Sequence, residues 1–329
     1  MKKFYRAVLF RQNNIALCGL LALLAFLVAV PQITQNPYYL HVMILCMLFA
    51  CMVSAWNLIA GYAGVFSFGF QAFFGVGAYT SSLLSIRLGM SPWVSMWIGA
   101  FAAMLLGVVV AIPSLKLKQL PYIAISTLCL GEIVRICAAN FTGLTRGEMG
   151  LTGIPRFFTG ASRVPFYYLI LLVFVLIILV VYKIVNSPMG MSLNAMKWSQ
   201  DAAESLGVNV PGTKVKVFMI GSFIAGVVGA FYAHYIAVLT PGTVLGPELM
   251  ILYIAMSLIG GIGTIVGPIF GAFFITIGLE FLRGAGQFRM ISYSILIILT
   301  IIFLRAGVWG SIKNMVLEKA EKHRQADAS

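Results

Sequence analysis

Long apolar stretches separated by short polar breaks make up almost the whole chain, and one break differs from the rest. Apolar runs of about twenty residues suffice to cross a bilayer as helices, and they follow one another at 15–30, 38–60, 69–86, 92–112, 119–139, 165–182, 215–238, 249–264, 267–282 and 290–305. The pattern predicts an all-α polytopic membrane protein with about ten transmembrane helices. Between the sixth and seventh runs lies the exception, the polar and helix-competent segment from Pro188 to Pro211. Met191, Ala195, Trp198, Ala202 and Leu206 recur there at the spacing of one stripe of a 3.6-residue helix, with Asn194, Lys197, Asp201 and Glu204 beside it. Ser187 before Pro188 reads as an N-cap with proline at the first helical position, and Gly207 followed by Pro211 reads as the stop. One bent helix or two short ones are expected.

Composition turns this pattern into a class. With 61% hydrophobic and only 9% charged residues, the chain departs from water-soluble domains, in which charged residues are about a quarter. One integral membrane domain is expected over 1–317, with the polar segment at 186–213 and a polar tail at 318–329. Basic residues near span ends stay cytoplasmic, and placing both termini inside puts 15 Lys and Arg on that side against 6 outside. The net charge of +13 then reflects topology and contact with the lipid bilayer, and no soluble basic domain is present to hold nucleic acid. The start resembles a signal peptide superficially, but no small-x-small site precedes Pro31, so an uncleaved first span is expected. Cys18, Cys46, Cys51, Cys129 and Cys137 all fall inside apolar runs, away from His and Asp at ligand spacing, and are expected to be packing residues.

An offset of 200 residues superimposes Asn57-Leu-Ile-Ala-Gly-Tyr-Ala-Gly and its continuation to Phe74 on Ser257-Leu-Ile-Gly-Gly-Ile-Gly-Thr and its continuation to Phe274. Duplication and the compositional bias of apolar helices both produce such a match; a duplication would here give a parallel repeat, with the solute path between the halves. Gly61, Gly64, Gly69, Gly75 and Gly77 in one copy, and Gly260, Gly261, Gly263, Gly267 and Gly271 in the other, serve either close helix packing or helix interruption beside a watery path. Helix packing is the commoner use, and Pro268 beside Gly267 supports the interruption.

Catalytic and ATP-binding motifs are absent, which points away from an enzyme. Glu132 and Arg135 stand three apart on one face of the fifth span, where a neutralising ion pair and a charged lining of a polar route are both open readings. Glu280 near Arg283 invites the same two readings, and His234 is expected to be a hydrogen-bonded helix residue rather than a ligand. The loop from Asn140 to Pro155, with four glycines, is expected to fold into a turn-rich element. The residues proposed for a substrate path are Gly61, Gly64, Gln71, Glu132, Arg135, Gly261, Gly263 and Gly267.

Three runs in this order, Asn57-Leu-Ile-Ala-Gly-Tyr-Ala-Gly, Thr127-Leu-x-x-Gly-Glu-Ile-Val-Arg with Gly-Leu-Thr-Gly-Ile-Pro, and Asp201-Ala-Ala-Glu-Ser-Leu-Gly-Val-Asn, carry a resemblance. Over roughly residues 38 to 305 the chain resembles the membrane permeases of branched-chain amino acid ATP-binding-cassette importers, of the LivH/LivM type and most closely the LivM branch. The resemblance implies a bacterial inner-membrane subunit, multi-pass with both termini cytoplasmic, that imports branched-chain amino acids by alternating access. It implies two ATP-binding subunits, a second homologous permease and an external solute-binding protein as partners, with ATP and Mg bound by the ATPases and no cofactor on this chain. It also makes the polar segment a cytoplasmic coupling helix, with Ala195, Lys197, Trp198, Asp201, Ala202, Ala203, Glu204, Leu206 and Gly207 as the residues that meet the ATPase. A self-contained channel or secondary transporter for a small neutral solute such as urea or a short amide is the alternative.

Overall fold

The computed structural model describes residues 27–34, 36–117, 120–160 and 162–281. The tenth apolar run, most of the first, Cys18, Arg283 and the 318–329 tail lie outside these ranges. Within them the elements run α1 (Pro37–Asn57), a π-turn (Leu58–Tyr62), α2 (Gln71–Arg87), α3 (Pro92–Lys116), α4 (Leu120–Asn140), α5 (Thr142–Thr145), β1 (Leu151–Thr152), α6 (Val164–Val185), α7 (Pro188–Trp198), α8 (Gln200–Ser205), α9 (Val210–Ile236), β2 (Val238–Leu239), α10 (Pro241–Leu245), α11 (Pro247–Gly260) and α12 (Val266–Phe281). Proline punctuates this order. It opens α1, α3, α6, α7, α9, α10 and α11 in the first two helical positions, where its missing N–H costs no hydrogen bond and its fixed φ suits the helix.

A helix lies over each of the eight internal runs anticipated from the sequence. Six stretches among the described residues are long and apolar enough to cross a membrane, and α12 is apolar but shorter. The chain is an all-α polytopic membrane protein, and the one ladder among the described residues is the two-residue antiparallel pair of β1 and β2, with Leu151 opposite Leu239.

α9 is the axis of the bundle. It packs on α3, α2 and α1, while α1 also contacts α6 and α12. The approach of α9 to α2 is close enough that a Cβ on Gly77 would sit 2.5 Å from Gly226 Cα. No side chain fits in such a gap, so glycine here sets the backbone separation that dispersion contacts exploit.

The helices define two ends. At one lie the residues between α1 and α2, the short helices α7 and α8, and the break between α11 and α12; at the other lie the starts of α1, α3 and α6 and the end of α9. The Asn140–Pro155 loop at this second end is folded, as its glycines predict. Thr145 Oγ1 donates to Ala138 O at 2.6 Å, and Gly147, Gly150 and Gly153 adopt positive φ. His234 pins the same loop: it is fully buried, with Nδ1 2.6 Å from Pro155 O and Nε2 2.7 Å from Ser81 Oγ. The carbonyl only accepts, so Nδ1 carries the proton.

Three expectations need correction. Pro211 does not stop the polar segment; it lies in the first turn of α9, whose cap is Asn209, its side chain accepting from Gly212 N. Ser187 has extended backbone before α7, but its hydroxyl donates back to Ile184 O and does not cap α7. Cys46 and Cys51 pack in the core, whereas Cys129 and Cys137 are exposed on α4, whose outer face no described element covers.

Candidate functional site

The polar segment folds as two helices because Ser199 takes an extended conformation between them, φ −158° and ψ 121°, and its hydroxyl accepts from Ala202 N as the cap of α8. This break corrects the stripe drawn through Met191, Ala195, Trp198, Ala202 and Leu206. A 3.6-residue period cannot be carried across an extended residue; the buried face is Gly190, Leu193, Met196 and Ala203, and the five stripe residues are exposed or half-buried. Ala203 therefore faces the bundle and is removed from any outer contact surface. Met191, Trp198 and Leu206 point away from the bundle, the last two 85% and 82% exposed. Lys197, Asp201, Ala202, Glu204 and Gly207 are exposed with them, and Ala195 is half-buried.

Lys197 joins this surface to the membrane helices. A Cβ on Gly64 would meet Lys197 Cα at 3.1 Å, and one on Gly263 would meet Lys197 Nζ at 3.1 Å. Both glycines have positive φ, 69° and 79°, a conformation costly for residues with a Cβ. Each lies at an interruption: Gly64 follows the π-turn that ends α1, and Gly263 lies between α11 and α12. Asn57 ties the two interruptions together. It is buried, its Nδ2 donates to Thr264 O at 2.8 Å, and its Oδ1 accepts from Gly263 N at 2.8 Å. Gly61 and Gly263 pack so closely that a Cβ on Gly61 would lie 2.7 Å from Gly263 N. Gly267 is enclosed by Thr264 and the carbonyls of Gly260 and Gly261. Interrupted backbone and close packing thus coincide, so the freed backbone groups lie against protein.

A second link holds α8. Lys214 of α9 is 2% exposed, and its Nζ donates to Ser114 O at 3.1 Å and Gln200 Oε1 at 2.9 Å. One ammonium group thus connects α9, the last turns of α3 and the first residue of α8.

The remaining path residues lie elsewhere. Gln71 opens α2 and is buried, with its Nε2 beside Gly131 of α4. Glu132 and Arg135 pair on α4, Arg135 Nε donating to Glu132 Oε1 at 2.7 Å, with their side chains about a third exposed. The two glycine interruptions come together with Lys197; Gln71, Glu132 and Arg135 gather around α4.

With this geometry in place, comparison with known proteins is decisive. Residues 38–304 match the family described as branched-chain amino acid transport system / permease component. The chain belongs to that family. This permease is 28% identical to the high-affinity branched-chain amino acid transport system permease protein LivM of Escherichia coli, over 88% of the chain and 74% of the relative. It is 27% identical to the protein of the same name from Salmonella typhimurium over the same shares. It is 24% identical to a probable branched-chain amino acid transport permease protein LivM of Methanocaldococcus jannaschii, over 65% of the chain and 72% of the relative. No solved structure matches the permease.

Two buried polar residues that tie separate parts of the chain together are not legible as such in the sequence. Asn57 was visible as the one amide opening the first repeat copy, but its partners lie some 200 residues away. Lys214 was counted as a basic residue flanking a span, and its burial depends on Ser114 and Gln200, from two other parts of the chain.

Proposed function

We propose that the permease is the membrane subunit of an ATP-binding-cassette importer that moves branched-chain amino acids inward across a bacterial inner membrane, with both termini cytoplasmic. The observation that carries this reading is Lys197, which lies on the exposed helix pair and against both helix interruptions at once. The exposed face of α7 and α8, with Met191, Trp198 and Leu206 flanked by Asp201 and Glu204, would receive an ATPase subunit. Displacement of the pair would reach Gly64 and Gly263 directly. Two such ATPases would supply ATP and Mg, a second homologous permease would cover α4, and an external solute-binding protein would deliver the solute. The shared course of the two repeat copies supports a duplication: α1 and α11 both run toward α7, break there, and return as α2 and α12.

The test is ATP-driven leucine uptake by the reconstituted complex. Trp198→Ala with Leu206→Ala should lower both uptake and co-purification of the ATPase at least about tenfold, as exposed aromatic anchors commonly dominate an interface. The melting temperature of the permease should hardly move, because neither side chain is buried. Leucine flux that persists without any ATPase subunit would sink the importer reading in favour of a self-contained channel.

A further inference from the structure

At the end of the bundle opposite α7, a cavity of about 240 Å³ opens between the starts of α1 and α6 and the end of α9. His41, Arg156, Ser162, Arg163, Phe166 and Tyr235 line it. Arg163 is held in place by donating from Nη1 to Pro37 O at 2.7 Å, and His41 Nδ1 lies 2.6 Å from the Tyr235 hydroxyl. Both guanidinium groups are close enough to Tyr235 to act on it electrostatically. Arg156 makes no hydrogen bond or ion pair among the described residues. No acidic side chain among the described residues lines the cavity; Glu280 at this end accepts from Tyr38 at 2.6 Å. The starts of α1 and α6 bring two positive helix-dipole ends to the cavity against one negative end from the last turn of α9.

The depth of the cavity identifies its ligand. Tyr38, Tyr39 and Tyr168 are exposed around it, and Trp93 is exposed at the start of α3 on the same end. Exposed tyrosine and tryptophan at helix ends mark the headgroup level of a bilayer. From Tyr168 an exposed apolar stripe, Leu172, Leu176 and Leu179, runs along α6 into the membrane, as a path for an acyl chain would. We propose that this cavity binds the headgroup phosphate of an anionic phospholipid, with Arg156 and Arg163 as its cation pair. Guanidinium groups suit phosphate because they donate two parallel charge-assisted hydrogen bonds. The site is independent of the solute path and of the import reading.

The experiment uses the full-length permease, purified in detergent, stripped of lipid and titrated with phosphatidylglycerol or phosphatidylcholine, with bound lipid read by native mass spectrometry. Phosphatidylglycerol should be retained several-fold better than phosphatidylcholine, and Arg156→Gln should lower its retention about tenfold, the effect of losing one charge-assisted hydrogen bond. Arg156 supports no other described group, so this variant should remain monodisperse; Arg156→Lys should retain an intermediate amount. Lys183→Gln, which removes an equal charge at the other end of α6, should change retention little. Equal retention by Arg156→Gln and the unaltered protein overturns the proposal, as does an equal loss in Lys183→Gln. Displacement of the lipid by millimolar inorganic phosphate also overturns it, since the cavity would then hold a free oxyanion.

Discussion

Asn57 is 1% exposed, and both ends of its carboxamide are bonded to backbone some 200 residues away. Leucine has the same number of side-chain heavy atoms, branched at the same position, and can make neither bond. Asn57→Leu would leave the Gly263 N–H and the Thr264 carbonyl without these partners inside the protein, a loss of about 1–3 kcal/mol for each buried group left unsatisfied. The expected result is a lower melting temperature and, in the reconstituted importer, a larger fall in leucine uptake than in ATP hydrolysis, because the ATPase contact surface is untouched. A variant as stable and as tightly coupled as the parent would show that this clasp transmits nothing. Asn57 itself was legible as a polar residue inside an apolar run, but its role was not, because hydrogen-bond partners so distant in sequence leave no local signature.

Among the elements, α7 and α8 show how much one residue can redirect. Their helical character was readable from composition and from Pro188, but their orientation was not, because Ser199 resets the phase between them. Its hydroxyl-to-Ala202 N bond is worth about 1 kcal/mol as an N-cap. Ser199→Ala should therefore fray α8, seen as faster amide hydrogen exchange over 200–207, with α7 unaffected. Ser199→Asp should preserve the cap and the slow exchange. If Ser199→Ala leaves exchange unchanged, the Lys214–Gln200 contact and not the cap holds α8 in place.

For the whole molecule, the exposed face of α4 is the feature that one chain leaves unfinished. Ionisable groups are costly against lipid, yet Glu132 and Arg135 stand partly exposed on a helix long and apolar enough to span. A second permease packed on this face, with the solute path between the two subunits, would give the pair a protein or watery neighbour. Glu132→Gln should then reduce uptake at least about tenfold while leaving ATPase co-purification intact, since Glu132 is on neither α7 nor α8. Uptake at the parental rate would place the path elsewhere and leave the pair a purely structural one.

Composition and local order determined the membrane class, the positions of the apolar helices and the presence of a polar helical segment. These follow from hydropathy, proline at helix starts and glycine at positive φ, all of which act over a few residues. Tertiary structure decided which face of α7 and α8 is buried, that the interruptions at Gly64 and Gly263 meet under Lys197, and that His41, Arg156, Arg163 and Tyr235 share a cavity. Each of these depends on side chains brought together from separate helices. Their contacts are set by how glycine-rich surfaces such as Gly77 on Gly226 let the helices approach, a property of pairs of helices that no single stretch of sequence contains.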